Sequence, residues 1–171
     1  MYMKYFIFII FLIISNLSYS YENNQLLLQN PAKKIKFFDL ETLDGLKIKV
    51  ADKFIKKKLI LINFWATWCP PCIKEIPDLI KLGKKFENEI EVIFVSVDAN
   101  PTKVIPNFLK KNNLEDFQTY IDKKLVLTKE LGVKVMPTTL IINEKPYELS
   151  RVEGYIDWLN EELLKELTNL L

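Results

Sequence analysis

The segment from Leu59 to Trp65, apolar except for Asn63, constrains the fold of this 171-residue chain more than any other. Such a run is typical of a strand buried on both faces of a sheet. From Pro70 to about Glu87 the apolar residues then recur every three or four positions, which is helical spacing. The sequence therefore predicts a buried strand that leads directly into a helix, as in α/β folds.

The rest of the chain continues this alternation of strand and helix patterns. An antiparallel pair of strands and an amphipathic helix from about Tyr155 close it. The intervening elements are predicted at Glu91 to Val97 (strand), Pro101 or Thr102 to about Asn112 (helix), Phe117 to Ile121 (strand), Leu125 to Leu131 (helix), and Thr138 to Ile142 with Glu148 to Glu153 (paired strands).

A hairpin is predicted ahead of the buried strand. Two β-rich runs, Ile35 to Leu40 and Leu46 to Val50, flank the dipeptide Asp44-Gly45, which is a strong turn signal. Together these patterns predict an α/β fold with a central mixed sheet flanked by helices and an N-terminal hairpin extension.

Residues 1–20 have the pattern of an export segment. Lys4 precedes an apolar run from Tyr5 to Ile14, which is short for a bilayer span of about 20 residues and fits a signal-peptide core of about 7–15. Ser18 and Ser20 supply the small residues expected before a cleavage site. The alternative is an uncleaved N-terminal membrane anchor. We expect residues 21–34 to form a polar lead-in and residues 35–171 to form the domain.

The composition excludes several classes of function. The chain has no histidine and two cysteines, whereas a structural zinc site usually takes four Cys or His ligands. A net charge of +2 lacks the basic bias of a nucleic-acid-binding protein. The sequence therefore predicts neither a metal site nor nucleic-acid binding, and no motif in it calls for a cofactor.

The two cysteines, Cys69 and Cys72, lie where the buried strand passes into the helix. At a helix N-terminus, unpaired N–H groups and the helix dipole stabilise a thiolate, which is the reactive form of cysteine. Cys72 lies one turn further on, so its sulfur reaches back to Cys69. Pro70 and Pro71 suit a first helical turn. The pattern predicts a dithiol that exchanges with substrate disulfides, with an inert structural disulfide as the alternative.

Glu75 and Pro137 each admit two interpretations from the residues alone. Glu75, one turn beyond Cys72, is either a solvated helix residue or a partly buried carboxylate that exchanges protons with Cys72. Pro137 is either a proline at the edge of a strand or the second residue of a cis peptide bond packed against the dithiol.

A family resemblance rests on these motifs. The segment from Asn63 to Cys72, followed by Glu75 and Pro77, resembles the exported thioredoxin-like reductases of the TlpA/ResA type. Gly132-Val133 and the segment Pro137-Thr138-Thr139 resemble the cis-proline region of that family, and the Asp44-Gly45 hairpin resembles its N-terminal extension. The similarity covers about residues 35 to 160.

The resemblance implies a thioredoxin fold and assigns roles within the site. It makes Cys69 the nucleophile, Cys72 the resolving thiol and Glu75 the acid that tunes the pair. It also implies a cis Pro137 beside the cysteines. Substrate contacts are then expected at Trp68, Met136, Pro137 and Thr138.

The resemblance further implies an exported enzyme, in the periplasm or on the outer face of the cytoplasmic membrane. Its expected substrates are protein disulfides, among them those of apocytochrome c, and its expected electron donor is a membrane-embedded reductase. An exported oxidant that introduces disulfides is the main alternative, because sequence does not fix a reduction potential. A thioredoxin-fold metal chaperone and a peroxidase are further alternatives, which the absence of His and the two-cysteine motif disfavour.

Overall fold

One sheet, built outward from the predicted buried strand, organises the protein. The computed structural model describes residues 26–54, 57–114 and 117–171. The strands are β1 (Leu28–Lys34), β2 (Asp39–Glu41), β3 (Lys47–Lys49), β4 (Leu59–Trp65), β5 (Ile90–Ser96), β6 (Tyr120–Ile121), β7 (Thr138–Asn143) and β8 (Tyr147–Glu153). The helices are α1 (Val50–Phe54), α2 (Pro70–Lys85), α3 (Pro101–Lys111), α4 (Val126–Glu130) and α5 (Glu161–Asn169).

The strands lie in the order β1-β8-β7-β4-β5-β6-β2-β3. Strand β4 runs parallel to β5 and antiparallel to β7, and β6 continues the parallel part of the sheet. Every residue of β4 is buried, as its apolar sequence predicts, because it has a strand on each side and helices over both faces. The mixed sheet flanked by helices is confirmed.

Alternate residues of β4 contribute to two separate cores. Leu59, Leu61 and Trp65 pack with apolar residues of α2, α3 and α5 on one face of the sheet. Ile60, Ile62 and Phe64 pack on the other face with residues of α4 and with Val50 of α1. Because side chains alternate along a strand, Asn63 must point into the first core, beneath α2.

The predicted hairpin forms, but its first strand is shorter than expected. Strand β2 begins at Asp39, so residues 35–38 lie outside any strand, and β2 pairs with β3 around the turn. At that turn Gly45 has a φ of +87°, which its missing side chain permits. Strand β6 is likewise limited to Tyr120–Ile121, whereas the pattern predicts a strand from Phe117.

The predicted polar lead-in contains a strand. Residues Leu28–Lys34 form β1, which pairs antiparallel with β8 at one edge of the sheet. An edge strand needs few apolar residues and tolerates Pro31, so its sequence gave no strand signal. The sheet therefore begins upstream of residue 35.

The predicted export segment, residues 1–20, lies outside the described residues, and no helix of the described ranges is long and apolar enough to span a bilayer.

The closing helix begins later than its periodicity predicts. Helix α5 starts at Glu161, whereas Tyr155 was expected to be its first residue. The side chain of Asn160 accepts hydrogen bonds from the N–H groups of Glu162 (3.0 Å) and Leu163 (3.3 Å), and this cap fixes the start of the helix. Residues 154–160, here called the β8–α5 loop, are consequently free to take a non-helical path.

Replacing Asn160 tests this cap. Asn160→Ala removes both hydrogen bonds and should lower the free energy of unfolding by about 1 kcal/mol, measured by urea denaturation. Asn160→Asp retains an acceptor and should stay close to the wild type. Asn107→Ala, at an exposed position within α3 where the side chain donates to the Lys103 carbonyl of its own helix, serves as the control for loss of an asparagine side chain. Equal stability of Asn160→Ala and the wild type would contradict the assigned cap.

Candidate active site

The two cysteines form a disulfide at the N-terminus of α2. Cys69 is the N-cap residue, and its Sγ accepts a hydrogen bond from the backbone N–H of Cys72 at 3.4 Å. Cys69 is 4% exposed and Cys72 is fully buried. The exposed Pro70 and Pro71 form the first turn between them. Of the two sulfur-bearing residues, Cys69 is therefore the one that solvent reaches.

The segment leading into Cys69 is held by a carboxylate from the neighbouring strand. Asp98, just beyond the end of β5, accepts hydrogen bonds from the backbone N–H of Thr67 at 3.1 Å and from its hydroxyl at 2.8 Å. The hydroxyl of Ser96 also donates to Asp98, at 2.8 Å. These bonds fix the turn between β4 and α2. Sequence reasoning missed this role, although an Asp directly after a buried parallel strand is a usable signal for it.

Glu75 is buried beneath the disulfide. Its side chain is fully inaccessible, one helical turn beyond Cys72 on α2. Burial raises the pKa of the Glu75 carboxyl from 4.5 to about 7, while hydrogen bonds from Trp158 and Asn63 act in the opposite direction. Of the two interpretations of Glu75, the structure supports the buried carboxylate.

Two donors from distant parts of the chain hold the Glu75 carboxylate. The Asn63 side-chain Nδ2 donates to Oε1 at 2.6 Å, and the Trp158 indole Nε1 donates to Oε2 at 3.1 Å. Asn63 Nδ2 also donates to the Thr139 hydroxyl at 2.9 Å, which joins β4, α2 and β7 in one buried network. Among the described residues, Asn63 Oδ1 is the buried side-chain oxygen or nitrogen that lacks a partner.

The peptide bond between Met136 and Pro137 is cis, as the resemblance implies. Pro137 directly precedes β7, and Thr138 pairs with Phe64, so this segment lies at the edge of the sheet where β4 ends. The Pro137 carbonyl accepts a hydrogen bond from the Gly154 N–H at 2.8 Å. The Thr138 hydroxyl donates to the Val135 carbonyl at 2.8 Å, which closes the turn.

The four predicted substrate contacts differ in exposure. Trp68 is 65% exposed, Met136 is half-buried, and Pro137 and Thr138 are buried. The hydroxyl of Thr138 is engaged within its own turn, so it holds the segment in shape. Of the four, Trp68 and Met136 therefore retain accessible surface.

Trp158 and Thr139 complete the network, and sequence reasoning did not identify them as site residues. An aromatic residue in a leucine-rich C-terminal segment indicates core packing, and Trp158 is indeed fully buried in that core. Its polar function depends on a contact across 83 positions with Glu75, which periodicity does not reveal.

In the described ranges, no group of three or more His, Cys, Asp or Glu side chains converges as a metal site would require.

Comparison with known proteins agrees with this geometry. The AhpC/TSA family matches residues 31–146. The thiol–disulfide oxidoreductase ResA of Bacillus thuringiensis subsp. konkukian is 34% identical over 139 residues, covering 80% of this chain and 78% of the relative. Two crystal structures share the fold. A candidate thiol:disulfide interchange protein DsbE from Chlorobium tepidum has a TM-score of 0.70 at 26% identity, covering 85% of this chain and 99% of that one. StoA from Bacillus subtilis has a TM-score of 0.60 at 28% identity, and the match covers 78% of this chain and 96% of StoA.

The raised pKa of Glu75 makes stability depend on pH. As the pH rises from about 4.5 to about 7, Glu75 ionises in the unfolded chain but keeps its proton in the folded protein. The unfolded state then binds fewer protons, so the free energy of unfolding falls as pH rises. Glu75→Gln abolishes this term. The free energy of unfolding of the variant, relative to that of the wild type, should therefore rise by about 3 kcal/mol from pH 4 to pH 8. Denaturation of the oxidised proteins measures it.

An exposed carboxylate provides the matched control for this measurement. Glu130→Gln removes one carboxylate from the surface of α4 and should keep the pH dependence of the wild type. If Glu75→Gln and the wild type show the same pH dependence, Glu75 is not the buried, proton-retaining group described here.

Proposed function

Because the chain belongs to the AhpC/TSA family and is a thiol–disulfide oxidoreductase, we propose that it reduces disulfides of exported proteins through Cys69 and Cys72. One observation carries the thiol–disulfide exchange in this proposal. The disulfide lies at a helix N-terminus, and one turn beyond Cys72 on the same helix is a buried carboxyl group whose pKa is raised to about 7. A structural disulfide has no need of such a neighbour.

Cys69 is the proposed nucleophile of the first step. In the reduced enzyme its thiolate attacks one sulfur of the substrate disulfide, the substrate S–S bond breaks, and a Cys69–substrate disulfide forms. The second substrate sulfur leaves as a thiolate and takes up a proton. The N–H of Cys72 already points at Cys69 Sγ, and such a donor at a helix N-terminus favours the thiolate.

Cys72 resolves the mixed disulfide in the second step. Its thiol gives a proton to the Glu75 carboxylate, and the resulting thiolate attacks Cys69 Sγ. The substrate leaves as a second thiolate, so two electrons have passed from the enzyme dithiol to the substrate. Cys72 is fully buried and needs a base within the protein. Glu75, with a pKa of about 7, accepts and returns a proton near neutral pH.

Substrate contacts are proposed on both sides of Cys69. The exposed indole of Trp68 offers an apolar surface to the chain that carries the substrate disulfide. Met136 and the turn at Pro137 face the same edge of the sheet, where an extended substrate segment would lie beside the dithiol. Thr138 shapes this turn through its bond to Val135 and does not itself need to touch the substrate.

The cellular setting of this chemistry is also a proposal. Residues 1–20 carry the pattern of a signal peptide or an N-terminal anchor, which supports a location in the periplasm or on the outer face of the membrane. We assign the reducing direction from the resemblance to the TlpA/ResA type. That resemblance also supports apocytochrome c thiols as a substrate class and a membrane-embedded reductase as electron donor.

A trapping experiment tests the roles of the two cysteines. Cys72→Ser leaves Cys69 unable to be resolved, so partner proteins should accumulate as mixed disulfides that dithiothreitol releases and mass spectrometry identifies. Cys69→Ser has only the buried Cys72 thiol and should trap far less. Cys69→Ser/Cys72→Ser gives the background. If Cys69→Ser traps partners and Cys72→Ser does not, the assignment is wrong.

A further inference from the structure

We infer that Trp158 is a positioning residue of the site, whose indole N–H holds the Glu75 carboxylate and sets the pH at which Glu75 exchanges its proton. This inference rests on the proposed function in one point only, which is what the Glu75 proton is used for. The contact itself lies within the described structure and is open to test without any substrate.

The two oxygens of Glu75 have one donor each, and the donors differ in kind. Asn63 binds Oε1 and Trp158 binds Oε2. An indole N–H can only donate, so Trp158 always favours the ionised carboxylate. An amide can donate or, after rotating by half a turn, accept. Asn63 can therefore also pair with a protonated Glu75. Trp158 is the donor that shifts the protonation equilibrium of Glu75 toward the ionised carboxylate.

The β8–α5 loop holds the indole in place from both sides. Before Trp158, the N–H of Gly154 donates to the Pro137 carbonyl at 2.8 Å. After it, the side chain of Asp157 accepts from the Leu159 N–H at 3.0 Å, and Asn160 caps α5. Trp158 itself is fully buried. A side chain fixed in this way loses little freedom when it donates to Glu75.

The same loop contacts α2 at the residue before Glu75. The Lys74 ammonium lies 3.9 Å from the centre of the Tyr155 ring, a cation–π arrangement on the surface. The segment that carries Trp158 therefore touches the cis-proline turn, Lys74 and Glu75. It links the proposed substrate-facing turn to the proposed proton acceptor.

Burial and the hydrogen bonds from Trp158 and Asn63 account for the pKa of Glu75. Strands β4 and β7 contribute the neutral Asn63 and Thr139 to the network, and α5 turns Leu163 and Leu167 toward the core. Within the described ranges, the salt bridges do not include Glu75. The ionisable side chains on the elements packed around it are Lys74, Asp78, Lys81, Lys84 and Lys85 on α2, Glu153 at the end of β8, Tyr155 and Asp157 in the loop, and Glu161, Glu162, Lys165 and Glu166 on α5, while the two cysteines are joined in the disulfide.

An NMR titration of the oxidised wild-type protein tests the contact directly. The Glu75 side-chain carboxyl carbon and the Trp158 indole N–H should shift with pH at one shared midpoint near 7, and Glu75→Gln should abolish the shift of the indole. The Trp65 indole donates to the Thr119 hydroxyl at 2.9 Å in the same core and should show no such midpoint. A Trp158 indole signal that does not follow Glu75 would overturn the inference.

Removing the donor provides the second test. Trp158→Phe keeps an aromatic ring in the core and should raise the pKa of Glu75 by about 1 or more, since a hydrogen bond to a charged group is lost. Trp65→Phe removes an equivalent donor from Thr119 and should leave the pKa of Glu75 unchanged. An unchanged or lower pKa in a folded Trp158→Phe variant, or equal shifts in both variants, would contradict the positioning role.

Failure of this inference and failure of the proposed function are distinguishable. The titrations use the disulfide form without substrate, so they report only on the contact between Trp158 and Glu75. The use of the proton is read from the pH profile of disulfide exchange in Glu75→Gln. If the pH profile of disulfide exchange is the same in Glu75→Gln and in the wild type, Glu75 has no role in the reaction. The contact between Glu75 and Trp158 would still stand. If Trp158→Phe does not fold, the wild-type titration decides.

Discussion

The Glu75 carboxyl group lies in the apolar core one helical turn beneath the disulfide, with a single hydrogen-bond donor for each oxygen. Burying an ionised carboxylate is costly, and two donors offset that cost only in part. Above neutral pH, a neutral side chain at this position should therefore make the fold more stable. A buried carboxyl group with its pKa raised to about 7 is suited to exchange a proton near neutral pH.

The rest of the fold positions this group and the cysteines above it. Strand β4 supplies Asn63 from below and ends where the turn toward Cys69 begins, and Asp98 at the end of β5 fixes that turn. Antiparallel pairing of β4 with β7 brings the turn at Pro137 to the same edge of the sheet. The β8–α5 loop then returns to the site and brings Trp158 to Glu75. The polar network thus draws on four separate segments of the chain.

Sequence predicted the parts of this site that depend on local pattern. An apolar run was enough to predict β4 as a strand buried on both faces, and a helical periodicity was enough to predict α2. The position of Cys69 at the start of α2 follows from these two elements. The polar edge strand β1 gave no signal, because an exposed strand paired on one side needs no apolar alternation. Spacing alone left Glu75 undecided, since a residue one turn beyond Cys72 fits either a solvated or a buried position. Trp158 remained hidden because its contact depends on how the β8–α5 loop folds back.

The reduction potential of the Cys69–Cys72 pair tests the central claim most directly. It is measured by equilibrating the protein with glutathione redox buffers at pH 7 and quantifying the disulfide form. A protein that reduces disulfides should have a potential nearer that of thioredoxin, about −270 mV, than that of the strong oxidant DsbA, about −120 mV. A value close to −120 mV would contradict the reducing direction and identify the protein as an enzyme that introduces disulfides.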